Sequence, residues 1–353
     1  MLRVLVSLLF LCGTAWAGAG SQIGVYYFPG WKIAPEIIKT DPWDKIRPYP
    51  DREPVLGWYP EGDDKVAAQQ LTWMKSAGLG FVVYDWYWLN GHGVSLNQAI
   101  DAYRRVAPRD AVQYSILWAN HSNVPSSLKQ FDDIVDYWID KYFKDPRFLK
   151  IDGKPVVFVF NPGFLARDAK GFGTPVADLL NRARQKARNA GLAGIYFVAS
   201  TQAVKEPVVQ GLPSDSYDAL SAYNYHSGLS GKDDGRSMSR SYTELTDGYV
   251  ESWKWILDNS SLPYILPITS GWDKRPWGGS ADRLHDNSAG DPANFIAHLK
   301  AAKDMMSKYP GKTMGMGVIC CWNEFGEGSY IEPSKKYGFQ YLDAIKDVFG
   351  KGK

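Results

Sequence analysis

Two carboxylates three residues apart carry the strongest chemical signal in this sequence. Glu324 and Glu327 lie in Trp322-Asn323-Glu324-Phe325-Gly326-Glu327-Gly328, where two glycines suit a tight turn. Cleaving a glycosidic bond takes one carboxylic acid to protonate the leaving oxygen and a second group to remove a proton or to attack. Crowded acids also raise each other's pKa, which keeps one of them protonated near neutral pH. The competing reading of such a pair is a solvated acidic turn.

Residues of sugar-binding type recur after apolar runs along the chain. Tyr27 and Trp31 follow the first run, and Asp85, Trp86 and Trp88 the second. Trp118, Asn120 and His121 follow the third, Tyr225 and His226 the sixth, Trp272 and Asp273 the seventh, and Asn323 the eighth. Asn161, Tyr87, Tyr223 and Asn224 share these segments. Aromatic faces stack on sugar rings, while amides and acids bind hydroxyls. Tyr27, Trp31, Trp86, Trp88, Trp118, Tyr225 and Trp272 are therefore expected to line a groove beside the acids. Asp85, Asn120, His121, His226, Asp273 and Asn323 are expected to supply its polar contacts. Each has a bland alternative. A tryptophan can simply fill the core, His121 can cap a loop, and Asp85 or Asp273 can hold a neighbouring loop through backbone N–H groups.

The elements that would position these residues alternate. Strand-like runs occur at 23–28, 79–85, 112–118, 155–160, 195–200, 219–223, 264–269 and 314–322. Helix-like segments occur at 64–77, 128–142, 176–190, 242–258, 293–308 and 337–348. Eight strands alternating with helices, in a chain of 353 residues, predict a single-domain (β/α)8 TIM barrel over residues 18–353. A barrel gathers its site from the segments after its strands, which is where the residues above stand. No G-x-G-x-x-G follows the first strand and there is no P-loop, so a nucleotide-binding open sheet lacks its signature.

Composition narrows the class further. Hydrophobic residues make up 45% of the chain and charged residues 22%, enough for a packed core. Fourteen tryptophans and 21 tyrosines exceed what a core needs, which favours a carbohydrate partner. Arg3, the apolar run Leu5 to Leu11 and Ala15-Trp16-Ala17 read as a signal peptide over residues 1–17, which predicts a secreted or periplasmic protein. No later segment has the length to span a bilayer, so no stable membrane insertion is expected after cleavage. The formal charge of +2 falls to +1 without Arg3, and nothing in it attracts nucleic acid. Neither a metal nor a cofactor is expected. Cys320 and Cys321, adjacent on a strand, would point to opposite faces and read as small buried hydrophobes.

The run Trp322-Asn323-Glu324-Phe325-Gly326-Glu327-Gly328-Ser329-Tyr330-Ile331-Glu332-Pro333, with Tyr337-Gly338 and Tyr341-Leu342, resembles the signature of the WbsX-like proteins. These are relatives of the family 99 glycoside hydrolases, the endo-α-mannosidases and endo-α-mannanases. Supporting matches are Gly24-Val25-Tyr26-Tyr27-Phe28-Pro29-Gly30-Trp31, Tyr84-Asp85-Trp86-Tyr87-Trp88, Leu117-Trp118-Ala119-Asn120 and Gly271-Trp272-Asp273. The resemblance implies a (β/α)8 barrel and retaining, metal-independent cleavage of α-mannosidic links. It also implies that Glu324 is the base acting on the substrate's own 2-hydroxyl, and that Glu327 is the acid. The chain departs from the pattern at Phe325, where the hydrolases commonly have Trp, and at His121, where WbsX-like proteins usually have an acid. A glycosyltransferase or transglycosylase in polysaccharide assembly and a non-catalytic polysaccharide-binding protein are the competing functions. The signal peptide argues against a transferase fed by nucleotide sugars, and the intact acid pair against a mere binder.

Overall fold

Eight parallel strands follow one another around a closed sheet. They are β1 (Gln22–Tyr27), β2 (Phe81–Leu89), β3 (Gln113–Trp118), β4 (Lys154–Val159), β5 (Tyr196–Ser200), β6 (Ala219–Ser221), β7 (Leu266–Thr269) and β8 (Met316–Cys320). The computed structural model describes residues 21–203, 205–226 and 238–350. The expected signal peptide lies outside them. Each strand pairs with the next, and β1 pairs with β8 in the register Gln22↔Met316. The last seam, between β6 and β7, closes through Leu220, whose N–H donates to Pro263 O and whose carbonyl accepts from Ile265 N. This is the (β/α)8 barrel that the alternation predicts.

Helices cover the outside. They are α1 (Asp64–Ser76), α2 (Gln98–Val106), α3 (Leu128–Trp138), α4 (Pro162–Gly171), α5 (Val176–Asn189), α6 (Tyr242–Asn259), α7 (Pro292–Lys308) and α8 (Gln340–Phe349). Several start on side-chain caps. Asp63, Ser127, Asn161, Ser241 and Asp291 each accept from a backbone N–H of the first turn. Two helices are absent from the sequence reading. α4 begins at Asn161-Pro162, a cap followed by proline at the first helical position, so its start was written in the sequence. α2 is nine residues long, and only Ala99, Ile100, Ala102 and Tyr103 of it are buried, a short apolar stripe.

Side chains alternate between the barrel interior and the helix layer. Tyr26, Phe81, Val83, Leu117, Phe158, Val198, Met316 and Val318 point inward and pack together. Val25, Tyr27, Val82, Tyr84, Trp86, Trp118, Val157 and Ile319 point outward and meet the helices. That parity decides what reaches the site. Cys320 and Cys321 correct the expectation of two unpaired cysteines on opposite faces. The strand ends at Cys320, a cis peptide joins the two residues, and both sulfurs meet in a disulfide within the buried inner core. Among the described residues no helix is long and apolar enough to cross a membrane.

Candidate active site

The turn that carries the two acids is a small hairpin just beyond β8. Asn323 pairs with Tyr330, and Glu324 with Ser329, leaving Phe325 to Gly328 as the loop. Both loop glycines are required. A Cβ on Gly326 would stand 2.1 Å from Trp277 Cε2. Gly328 has φ +70°, and a Cβ there would stand 2.8 Å from Asp273 N.

The loop is anchored from three sides. Asn323 Oδ1 accepts from Phe28 N at 2.9 Å, and its amide donates to Phe28 O at 2.9 Å, which ties the hairpin to the end of β1. The Trp31 indole donates to Asn323 O at 3.1 Å. Arg52 donates to Phe325 O at 2.7 Å and to Asp273 O at 3.0 Å. Asp273 N donates to Glu327 O at 2.6 Å. Phe325 is fully buried against Trp31, Trp43 and Tyr330, and the Trp31 and Trp43 rings stack at 3.9 Å.

Glu327 lines a cavity of about 520 Å³ together with Phe160, Asn161, Tyr223, Asn224, His226 and Trp272. Burial pushes its pKa up to about 7, although Lys274 pulls it down. Glu324 lies deeper and is almost completely buried. Burial, then the charges of Glu327 and Asp85, hold its pKa well above the usual carboxylate range, against the Tyr223 hydroxyl and Lys274. The Tyr223 hydroxyl lies 3.0 Å from Glu324 Oε1 and 3.0 Å from Asp85 Oδ2. Asp85 is also pushed well above its ordinary pKa, by burial first and by Glu327. The arrangement gathers three carboxyls, a phenol that bridges two of them, and one nearby cation. A proton can be given or taken at more than one point in it.

The expected groove residues divide sharply. Trp272 lines the cavity, its indole held by Ser280 Oγ at 2.8 Å. His226 lines it too, 4.4 Å from the Trp272 ring, with Nδ1 3.2 Å from His285 Nε2. Burial, then the neighbouring His285 and Lys274, lower the His226 pKa to about 4, so it is neutral near pH 7. The other six aromatics lie elsewhere. Tyr27 points outward and donates to Glu61 at 2.8 Å. Trp86 donates to the Tyr142 hydroxyl, Trp88 packs on Trp86 and Tyr137, and Trp118 packs on Trp138, all in the helix layer. The Tyr225 hydroxyl shares a 2.7 Å bond with Tyr264 in the same layer. Trp31 serves as a clamp under the turn.

The polar expectations divide as well. Asn323 is consumed by the Phe28 backbone, and Asn120 by the Asn161 backbone at 2.8 and 2.9 Å. Both carboxylate oxygens of Asp273 are taken by Arg275, and one also by Arg52, so it holds loops together rather than facing the cavity. His121 is exposed, its ring edge-on to Tyr87 and Phe160. Asp85 faces the acids. Tyr223, Tyr87 and Phe160 stand where the seven aromatics were expected, and strand parity alone would have found Tyr87. Lys274, one residue past Asp273, supplies positive charge that no sequence pattern marked.

A family model described as glycosyltransferase WbsX matches residues 47–345. Two proteins called uncharacterized protein WxcX, from two strains of Xanthomonas campestris pv. campestris, are 22% identical over 95% of the chain. The chain spans about half the length of these relatives, at 47%. A solved structure described as a glycoside hydrolase-like protein superposes with TM-score 0.70 at 16% identity, covering 95% of both chains. The GH99 endo-α-mannosidase of Bacteroides thetaiotaomicron superposes with TM-score 0.63 at 18% identity, covering 94% of this chain and 96% of that one. At such identities the likeness speaks for a common barrel.

Proposed function

The chain belongs to the WbsX glycosyltransferase family, and we propose that it is a glycoside hydrolase acting on a polysaccharide, with Glu324 and Glu327 as its catalytic pair. One observation carries this reading: a buried acid, Glu324, and a half-buried one, Glu327, share a clamped turn, and Glu327 borders a cavity with its pKa raised to about 7. An acid poised near neutrality can donate to a leaving oxygen and later accept from water. Glu324, as carboxylate, removes the proton from the sugar's 2-hydroxyl. That oxygen attacks C1 while the glycosidic C1–O bond breaks, and Glu327 gives its proton to the departing oxygen. In the second half, Glu327 as carboxylate takes a proton from water, the water oxygen attacks C1 as the C1–O2 bond breaks, and the 2-oxygen recovers its proton from Glu324. The internal nucleophile has the high effective concentration of an intramolecular reaction.

The substrate class is a neutral polysaccharide, with α-mannosides and bacterial exopolysaccharide or O-antigen chains as the first to try. The cavity lining includes Glu206 and Asp215, which disfavour an anionic ligand. The same charges speak against a nucleotide-sugar transferase, whose donor brings a diphosphate. Transfer from one sugar chain to another uses the same two acids with a sugar hydroxyl in place of water. The leader-like residues 1–17 support export to the periplasm or the medium.

The test is a panel of purified polysaccharides, including mannan, incubated with the protein without nucleotide sugar. Release of reducing ends, lowered at least about 10²-fold by both Glu324→Gln and Glu327→Gln, is the expected result. With a substrate whose leaving group departs without protonation, Glu327→Gln regains its first step and Glu324→Gln does not. Turnover that depends on a nucleotide sugar, or full activity in both variants, refutes the proposal.

A further inference from the structure

We propose that Asp85 is a positioning residue for Glu324, carrying a proton that Tyr223 relays, so that Glu324 stands ionised as a base. This role rests on the assignment of Glu324 made above. The geometry behind it is a count of hydrogens. The Tyr223 hydroxyl is 3.0 Å from both Asp85 Oδ2 and Glu324 Oε1. A phenol has one hydrogen and can donate to one of them. The second contact is a hydrogen bond only if that carboxyl carries a proton and donates it to the phenol oxygen. With both acids ionised, a bare carboxylate would face the phenol's lone pairs in a buried site, which is costly. The remaining oxygens, Asp85 Oδ1 and Glu324 Oε2, are buried without a hydrogen-bond partner among the described residues, so no other donor relieves the conflict.

The pair and its phenol therefore hold two hydrogens between three oxygens. Moving the charge requires two concerted shifts. The Glu324 O–H bond breaks as a Tyr223 O–H forms, and the original Tyr223 O–H breaks as an Asp85 O–H forms. Net charge is unchanged. The surroundings choose which end keeps the proton. Lys274 favours charge on Glu324 and Glu327, while a charged Glu327 weighs on both Glu324 and Asp85 and an ionised Asp85 would oppose charge at Glu324. Tyr87 and Glu327 border both acids, and the Tyr26 and Phe160 rings pack on Tyr223 at 5.0 and 5.5 Å. A base at Glu324 needs the anion there, which leaves the shared proton at Asp85.

Infrared difference spectroscopy on the purified full chain near pH 7 reads this proton directly. Asp85→Asn should remove one protonated-carboxyl band that the native protein shows. Tyr223→Phe, which keeps the ring, should shift that band as its hydrogen bond to the phenol is lost. An unchanged spectrum in Asp85→Asn, or an unmoved band in Tyr223→Phe, overturns the relay. On a substrate the native protein cleaves, Asp85→Ala, which takes the donor from the phenol oxygen, should lower kcat about 10-fold or more, hold KM within about 3-fold and raise the acidic limb of the pH profile, while Asp85→Asn, which keeps a neutral donor there, should retain more of kcat. A raised KM with kcat intact would make Asp85 a sugar ligand and overturns the proposal. The spectrum is read in the resting protein, so a glycan screen that finds no cleavage overturns the hydrolase reading alone.

Discussion

Behind the acid turn lies a second pair of carboxyls, Glu61 and Glu332, and replacing Glu332 by Gln should change how stability depends on pH. Both acids are buried, and among the described residues neither forms an ion pair, with Lys32 acting weakly on Glu61. Glu332 accepts from the Tyr59 hydroxyl at 2.7 Å and from the Gln70 amide at 3.1 Å, and Glu61 accepts from Tyr27. Burial raises Glu332 from 4.5 to about 8, with a further push from Glu61, and raises Glu61 to about 7. The folded chain therefore binds these protons more tightly than the unfolded chain. The stability that they confer is fully present below the unfolded pKa of 4.5 and drains away as pH rises through the folded values.

For Glu332 alone the shift of roughly 3.5 units, at about 1.4 kcal/mol per unit, sets a ceiling of about 5 kcal/mol between pH 4.5 and 8. A glutamine keeps the shape, accepts from Gln70, donates to Tyr59 and never ionises. Urea unfolding of both proteins at about pH 5, 6.5 and 8 tests this. The variant should be close to the native protein at the lowest pH and clearly more stable at the highest, by up to the ceiling. Glu61 is present in both proteins, so its own loss largely cancels. A stability difference that stays flat across this range would refute the assignment of a protonated Glu332.

Three further outcomes follow from the packing. Trp272→Ala should raise KM on a polysaccharide and, because the ring is largely buried, also cost stability, whereas Trp86→Ala, in the helix layer, should cost about 3–5 kcal/mol of unfolding free energy with KM unchanged. Gly326→Ala forces a methyl into Trp277 and should cost about 1–3 kcal/mol and most of the activity, while Gly311→Ala, with open space around it, should be near neutral in the same thermal and kinetic assays. Arg52→Met strips a buried cation from Asp273 and two carbonyls, and urea titration should show a loss of about 3–5 kcal/mol.

The barrel was legible because its strands are apolar throughout and alternate with helical stripes. The turn that carries the acid pair was legible because Gly326 and Gly328 flank Glu327, a pattern that suits a tight turn. Side-chain direction was lost by a single step of parity. Reading every aromatic after a strand as facing the cleft selected Trp86, Trp88 and Trp118, whose alternation sends them to the helices. The same alternation sends Asp85 and Tyr87 inward. The polar roles of Asn120, Asn323 and Asp273 were lost for a different reason. Asn120 and Asn323 meet backbones 41 and 295 residues away, and Asp273 meets Arg52 221 residues away besides its neighbour Arg275, and no local pattern encodes the contacts at long range. Cys320 and Cys321 failed because strand alternation was applied one residue past the strand's end.

The abundance of aromatic residues acquires a different meaning from the one that composition suggests. Two acids crowded on one small hairpin repel each other once ionised, and a loose hairpin would relieve that by swinging one into water. Preorganised charge is useful only if the scaffold resists such relaxation. Here the resistance comes from rings. Trp31 and Trp43 stack beneath Phe325, Tyr330 closes the hairpin beside it, and Trp277 fills the space that Gly326 leaves. None of these rings needs to touch a sugar to serve it. Arg52 and Asn323 complete the clamp through carbonyls and amides, so the hairpin is held by its backbone, and among the described residues its acids form no ion pair. Raised carboxyl pKa values are the electrostatic consequence of that rigidity, since acids that can neither move apart nor reach bulk water keep a proton instead.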